Sequence, residues 1–286
     1  MTPLLLAATG GLFTSLAGSL NIALEGMLLT GAFAAVAATY FTGSMAAGLA
    51  AAIFFSILMA ALHAFSTFSL RSNVFITGLA VNLMATGLTA VLSQRLFNTR
   101  GVVVLPDSAI LSVITVPVLK NIPVAAQLFS GHNRYVYTAW ILLLSSWIVI
   151  YKTPFGYRLR ACGSNPQALH SLGINPNAYL WPAFLVSGFF CGIGGSLLSL
   201  NLGAYVPNMT AGRGWIALVL IFLGGRRPAG LLIAGFVFGF TEALSNYAQS
   251  MRNVPADFIL ALPYMLTFIA MIFISVLEKR KSRAGN

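Results

Sequence analysis

Long runs of apolar residues dominate the chain, separated by short polar stretches. A helix needs about 20 mostly apolar residues to cross the hydrocarbon core of a bilayer, and this criterion predicts nine transmembrane helices. They cover residues 3–20, 24–42, 45–64, 74–93, 135–151, 179–202, 213–224, 230–250 and 257–277. The runs do not alternate between apolar and polar positions as the strands of a transmembrane barrel do. The pattern therefore predicts an all-α, polytopic membrane protein with a single transmembrane domain over residues 1–286.

Two of the nine runs are weaker than the others. Residues 3–20 contain three glycines and look partly like a signal segment, but no basic residue precedes Arg71, so this run is retained as a span. Residues 213–224 are short for a crossing. We expect this run to be tilted, broken or re-entrant, which is tolerated where protein or a water-filled cavity surrounds the helix.

Composition excludes the soluble classes. The chain is 58% hydrophobic and 7% charged, with a net charge of +11, whereas a soluble domain carries about 25% charged residues. No basic block with interleaved aromatic residues is present, so no nucleic-acid partner is expected. The basic excess instead fits a topology signal in a lipid bilayer. The dense basic run at 278–283 predicts a cytoplasmic C-terminus, and nine spans then place the N-terminus outside.

Two long segments do not fit a crossing. Residues 94–134 are predicted outside and contain Pro106, Pro117 and Pro123. Residues 152–178 are predicted inside. In this inner loop, Ser164 or Asn165 can cap a short helix over 166–172, with Pro166 at its first position and Gly173 ending it in a left-handed conformation.

Small residues recur at helical spacing within the spans. Gly188 and Gly192 form one GxxxG pair, and Gly235 and Gly239 form another. Such pairs let helix backbones approach closely in lipid. They indicate either packing within the chain or an interface between subunits, and packing is the more general interpretation.

The chain has no nucleotide-binding P-loop, no HExxH zinc motif and no GxSxG nucleophile motif. No catalytic residue and no metal site are predicted. Polar residues within or beside the spans are then the candidates for function. They serve either as helix caps and interhelical hydrogen bonds or as the lining of a translocation path. The path candidates are Asn21, Glu25, Asn82, Asn201, Glu242 and Asn246.

Four stretches, in order along the chain, resemble one family of membrane proteins. They are AGSLNIALEGMLLTGAFAA (17–35), ITGLAVNLMATGLT (76–89), GYRLRACGSNPQALHSLGI (156–174) and MTAGRGWIALVLIFLGGRRPAGLLIAGFVFGFTEAL (209–244). The chain resembles the permease subunits of ABC importers of the ribose and branched-chain amino acid type. The nearest likeness is to nucleoside and simple-sugar permeases that work with basic-membrane-protein-type binding lipoproteins. Residues 94–134 match least.

The resemblance implies a type II importer fold and a coupling loop for the ATPase within 152–178. By likeness to the family's motif, the contact residues would be Gly156, Arg158, Arg160, Gly163, Asn165, Pro166, Gly173 and Ile174. The loop departs from the commoner pattern in two places. Ser164 stands where an acid is usual, and Leu169 and His170 replace a small or charged pair. These departures put details of docking in doubt rather than the class.

The resemblance also implies the partners: ABC ATPase subunits, a second and related permease, and a substrate-binding lipoprotein, at a bacterial cytoplasmic membrane. The permease would bind no cofactor, since ATP and Mg are used by the ATPase. Transport would follow alternating access between inward-open and outward-open states. A path with few charges suits a neutral solute, such as a nucleoside, a riboflavin-like vitamin or a simple sugar.

Two other classes remain at this stage. An ion-coupled secondary transporter would need coupling carboxylates, for which Glu25 and Glu242 could serve, and often an inverted repeat. No convincing repeat relates the two halves of the sequence. A membrane scaffold without transport would show the same packing residues but would need no inner helix.

Overall fold

The computed structural model describes residues 1–106, 113–114, 132–249 and 265. Its helices are α1 (Thr2–Leu16), α2 (Leu24–Thr42), α3 (Met45–Ala64, continued by a π-helical turn over Phe65–Ser69), α4 (Val74–Phe97), α5 (Arg134–Lys152), α6 (Pro154–Ser164), α7 (Pro166–Ser171), α8 (Asn177–Leu202), α9 (Arg213–Leu223) and α10 (Pro228–Gln249). Four two-residue strands are β1 (Val103–Val104), β2 (Val113–Ile114), β3 (His132–Asn133) and β4 (Ala204–Tyr205). β1 pairs with β4 and β2 with β3, both antiparallel.

The expectation of an all-α membrane protein is confirmed, but nine spans are not. In the described part of the chain, five helices are long and apolar enough to cross a membrane, and α5 with α6 makes a sixth if this pair, bent by 72°, counts as one span. The ninth predicted run, 257–277, and most of the segment 94–134 lie outside the described residues.

The predicted span over 3–20 is too long at its C-terminal end. Helix α1 ends at Leu16, because Gly18 adopts a positive φ of 91°. Helix α9 has 11 residues. At 1.5 Å per residue these helices are roughly 22 Å and 16 Å long, against about 30 Å of hydrocarbon. The shortness of α9 fits the expected broken or re-entrant helix.

The other helix ends have local causes. The side chains of Ser44 and Asn73 cap α3 and α4 by accepting hydrogen bonds from the first free backbone N–H groups. Such caps stabilise a helix start by about 1 kcal/mol. Gly43 and Gly203 end α2 and α8 in the left-handed conformation, which glycine adopts at little cost.

Helices α1, α2 and α8 form the centre of the molecule, and their residues are mostly buried. The GxxxG pair on α8 packs within the chain. A Cβ on Gly188 would come within 2.7 Å of Ala60 Cβ, and one on Gly192 within 2.7 Å of Ile53 Cα. Gly235 similarly faces the side chain of Leu5. These glycines serve packing between helices of one chain, as the more general interpretation expects.

Helix α8 separates two ends of the molecule. At its C-terminal end, β4 pairs with β1, and Phe97 of α4 contacts the rings of Tyr40 and Phe41 at 5.1 and 5.6 Å. At its N-terminal end, the hydroxyl of Tyr179 accepts a hydrogen bond from Arg158 of α6. The start of the segment 94–134 and the loop 152–178 therefore lie at opposite ends of α8.

Candidate functional site

The chain between α1 and α2 is not helical, and Asn21 holds its shape. Asn21 is fully buried. Its Nδ2 donates to Ser187 Oγ at 2.7 Å, and its Oδ1 accepts from the backbone N–H of Ala23 at 3.0 Å. His63 Nδ1 lies 3.1 Å from the same oxygen. In a membrane protein, non-helical backbone must find its hydrogen bonds inside the protein, and Asn21 supplies some of them.

Asn82 performs the same task from α4. Its Nδ2 donates to the carbonyl of Ile22 at 2.9 Å, and its Oδ1 accepts from the N–H of Gly26 at 2.7 Å. Gly26 lies in the first turn of α2, where backbone N–H groups have no partner within the helix. Both the nitrogen and the oxygen of the Asn82 side-chain amide thus help to fix the start of α2.

Glu25 joins α2 to the short helix α9. Its Oε1 accepts from the N–H of Gly212 at 2.9 Å, and its Oε2 accepts from the N–H of Gly214 at 2.6 Å. A carboxylate at a helix N-terminus is favourable, because the free N–H groups and the helix dipole both attract negative charge. Gly212 has a φ of 81°, and a Cβ on Gly214 would meet the backbone of Glu25. Glycine at both positions allows this contact.

Glu242 is linked to the same place through Arg213. Its Oε1 lies 3.2 Å from Arg213 Nη2, and its Oε2 lies 3.3 Å from the amino group of Met1. Arg213 Nη1 also donates to the carbonyls of Met209 and Thr210. Arg213 lies at the first turn of α9, paired with this carboxylate on α10.

Beside this ion pair lies a cavity of about 270 Å³. Asn201, at the end of α8, shares its lining with Arg213 and Glu242, and the rest of the wall is mostly apolar. We call Asn21, Glu25, Asn82, Arg213 and Glu242 the polar junction. It brings together four of the six path candidates, and Asn201 adjoins it. Asn246 lies on α10, but its side chain is outside the described part of the structure.

The predicted inner helix is present as α7, over Pro166–Ser171. Of the two possible caps it uses Asn165, whose Oδ1 accepts from the N–H of Ala168 at 3.0 Å. Gly173 follows the helix with a φ of 75°, as expected for a left-handed end. The surfaces of α7 and of Asn165 are largely open, and Ile174 is half-buried.

Arg158 and Arg160, two of the expected ATPase contacts, also make contacts within the chain. Arg158 Nη1 donates to the hydroxyl of Tyr179 at 3.1 Å. The guanidinium of Arg160 lies 4.7 Å from the ring of Tyr151 and 5.0 Å from that of Tyr157. These contacts tie α6 to α5 and α8.

Two glycines allow α6 to pack against its neighbours. A Cβ on Gly156 would collide with the carbonyls of Val149 and Ile150 in α5. A Cβ on Gly163 would collide with the carbonyl of Leu16 and lie 2.8 Å from the backbone nitrogen of Gly18. Helix α6 therefore touches the backbone where α1 ends. Cys162 beside it is buried, and burial raises the pKa of its thiol.

Comparison with known proteins decides the family. Residues 1–275 match the model of the branched-chain amino acid transport system / permease component. The chain belongs to this permease family. It is a multi-pass membrane protein and a non-catalytic subunit, since the ATPase of these importers is a separate chain.

The permease is similar to several curated relatives along nearly its whole length. It is 32% identical over 281 residues to the nucleoside ABC transporter permease protein NupC of Lactococcus lactis subsp. cremoris, covering 94% of the permease and 88% of the relative. It is 32% identical over 284 residues to the guanosine ABC transporter permease protein NupQ of Bacillus subtilis, covering 94% and 87%. It is 24% identical over 302 residues to NupP, another guanosine permease protein of that organism, covering 100% and 84%. No solved structure matches it significantly.

Three residues of the site escaped the sequence reasoning. His63 and Ser187 bond to Asn21, and Arg213 pairs with Glu242. The sequence offered a signal for Arg213 alone, because this arginine opens an apolar run that is too short to cross a bilayer.

Proposed function

We propose that the chain imports nucleosides as one permease subunit of an ATP-driven transporter at a bacterial cytoplasmic membrane. The observation that carries this proposal is its 32% identity, over 94% of its length, to a nucleoside permease and to a guanosine permease. The low charge of the chain is consistent with a neutral solute. Simple sugars and a riboflavin-like vitamin are the competitors that an uptake assay must exclude.

We infer that α6 and α7 form the coupling element under which the ATPase docks. Three observations support this. Helix α7 is open on its outer surface, α6 is anchored to α5 and α8 through its two arginines, and Gly163 brings α6 against the end of α1. A rigid element that contacts the transmembrane core can pass on a displacement. In this proposal Asn165, Pro166, Gly173 and Ile174 shape the docking surface, and Gly156 and Gly163 seat the element.

We further propose that the cavity beside the polar junction belongs to the translocation path. Asn201, Arg213 and Glu242 line it. A mostly apolar wall with a few polar groups that can hydrogen-bond is typical of a site for a small neutral solute. Asn21, Glu25 and Asn82 are committed to hydrogen bonds within the chain, so their proposed contribution is to hold the path in shape. Asn246 remains a candidate lining residue on the same helix as Glu242.

The proposed partners are two ATPase subunits, a substrate-binding lipoprotein and a related second permease. The last is supported by the presence of two guanosine permease proteins, NupP and NupQ, in one organism. In this arrangement α7 and the C-terminus are cytoplasmic and 94–134 faces outward. ATP and Mg act in the ATPase alone.

The test is purification of the tagged chain from its native membrane in mild detergent, followed by identification of the proteins that accompany it. We expect an ATPase, a second permease and a lipoprotein. Reconstituted with ATP, the complex should take up radiolabelled guanosine, and excess unlabelled nucleoside, but not glucose or riboflavin, should compete. Uptake driven by an ion gradient without ATP would contradict the proposal.

A further inference from the structure

An apolar groove runs between α5 and α10 on the surface of the molecule. It encloses about 410 Å³ and is lined mainly by Trp140, Leu144, Trp147, Pro228, Ala229 and Leu232. The volume is within the range of about 300–1,000 Å³ that is usual for ligand sites. The helices run antiparallel, since the rings of Trp140 and Phe236 meet at 6.4 Å, while Trp147, about two turns further along α5, lines the groove with Pro228 at the start of α10. One end of the groove therefore lies where α5 ends and α10 begins.

That end of the groove is basic. Lys152 closes α5, and its Nζ lies 6.0 Å from the ring of Trp147. Arg226 and Arg227 directly precede Pro228, the first residue of α10, and all three cationic residues are exposed. Within the described residues, none of these three cations pairs with a carboxylate, because the two ion pairs present there are both made by Glu242.

We propose that this groove is a binding site for an anionic phospholipid. An acyl chain fits the apolar walls, and the phosphate would lie among Lys152, Arg226 and Arg227. Basic pockets between transmembrane helices bind anionic head groups, and tryptophan prefers the level of the membrane interface. A zwitterionic lipid would satisfy the walls, but the cation of its own head group would compete with the three protein cations for its phosphate. The site lies away from the polar junction and does not depend on the identity of the transported solute.

The bound lipid would fill the gap between α5 and α10. Because α5 leads directly into α6, such a lipid stabilises the helix on which the inner loop is mounted. Purified permease is then expected to retain anionic lipid through detergent exchange and to lose thermal stability when this lipid is stripped.

Native mass spectrometry of the purified transporter tests the proposal. Phosphatidylglycerol and phosphatidylcholine are added in equal amounts, and retained lipid is counted. The wild-type protein should retain phosphatidylglycerol in preference. Each cation near a membrane surface contributes about fivefold to binding of an anionic lipid. Lys152→Gln should therefore reduce retention of phosphatidylglycerol about fivefold, and Lys152→Gln with Arg227→Gln about thirtyfold.

Arg71→Gln is the matched control, because Arg71 is an exposed cation close to a helix end, as Lys152 is, but lies in the turn between α3 and α4 away from the groove. It should leave retention unchanged. Ala229→Trp should fill the groove and reduce retention of both lipids. Equal retention of the two lipids by the wild type, or the same loss in Arg71→Gln as in Lys152→Gln, would overturn the proposal. If the double variant does not purify, Lys152→Gln and Arg227→Gln are compared separately, and each should reduce retention of phosphatidylglycerol about fivefold. Inorganic phosphate at millimolar concentration should not displace the lipid.

Discussion

At the scale of single residues, the polar side chains of this permease mostly serve its own backbone. Asn21 and Asn82 satisfy the unwound chain between α1 and α2, and Glu25 satisfies the start of α9. The sequence identified these three as candidates, because polar groups in lipid need a partner. It could not predict the partners of Glu25, because Gly212 and Gly214 lie 187 and 189 residues further along the chain.

Replacing Glu25 tests its role as a helix cap. Glu25→Leu removes two charge-assisted hydrogen bonds and leaves the two N–H groups without partners. A hydrogen bond to a charged group stabilises a protein by roughly 1.5–3 kcal/mol. We expect Glu25→Leu to lower the melting temperature of the purified permease markedly and Glu25→Gln to lower it less, since an amide oxygen can still accept one bond. Asn177→Leu, at the exposed start of α8, is the control. A melting temperature unchanged in Glu25→Leu would contradict this role.

At the scale of elements, the sequence predicted most helices to within a few residues. The start and end of α2, and the start of α4, agree with the predicted runs. Gly43 ends α2 and the side chain of Asn73 caps α4, whereas the N-cap of α2 is Ala23, which makes no side-chain cap. Helix α1 was extended by four residues too many. An apolar run contains no signal for the positive φ of Gly18, whose environment is set by Gly163 from a distant helix. Backbone contacts of this kind depend on the tertiary fold.

The contact between Gly163 and Gly18 yields a prediction about coupling. Gly163→Ala places a methyl group against the carbonyl of Leu16, so α6 must move away from the end of α1. We expect the complex to assemble and hydrolyse ATP, while the amount of substrate transported per ATP falls about tenfold or more. Gly87→Ala, on α4 with open space around it, is the control and should transport normally.

A second measurement keeps the coupling prediction testable if Gly163→Ala fails to assemble. Ser19→Cys reports on the unwound segment, and its labelling rate by a maleimide should change when ATP is added. Both native cysteines are buried, so their background is low. If ATP changes the labelling of Ser171→Cys on α7 but not that of Ser19→Cys, coupling through the contact between α6 and the end of α1 is excluded. No change at either position would instead contradict docking of an ATPase beneath α7.

At the scale of the whole molecule, the described residues divide into a packed centre and two functional ends. Helix α8 carries the strand pair β1–β4 at one end and α6 at the other. The basic residues of the inner loop already indicated that 152–178 and 94–134 lie on opposite sides of the membrane. The absolute orientation rests on the positive-inside rule, and the segment 278–283 that dominates that argument lies outside the described residues.

Labelling from the two sides of the membrane tests this orientation. Arg100→Cys and Ser171→Cys place a thiol at exposed positions near opposite ends of α8. In intact cells a membrane-impermeant maleimide should label Arg100→Cys and leave Ser171→Cys unlabelled. In inside-out vesicles the result should reverse. Labelling of both thiols from one side would place both ends in the same compartment and contradict the proposed topology.

The link between Glu25 and α9 also constrains how the protein is made. Synthesis proceeds at about 5–20 residues per second, so Glu25 is made roughly 10–40 s before the glycines that satisfy it. During that time its carboxylate has neither of its final partners, and a carboxylate without a partner is costly in lipid. The N-terminal helices must therefore be held near water or the insertion machinery until α9 emerges. An 11-residue helix, in turn, enters the membrane only against protein already in place there, so the insertion of α9 depends on the N-terminal helices made before it.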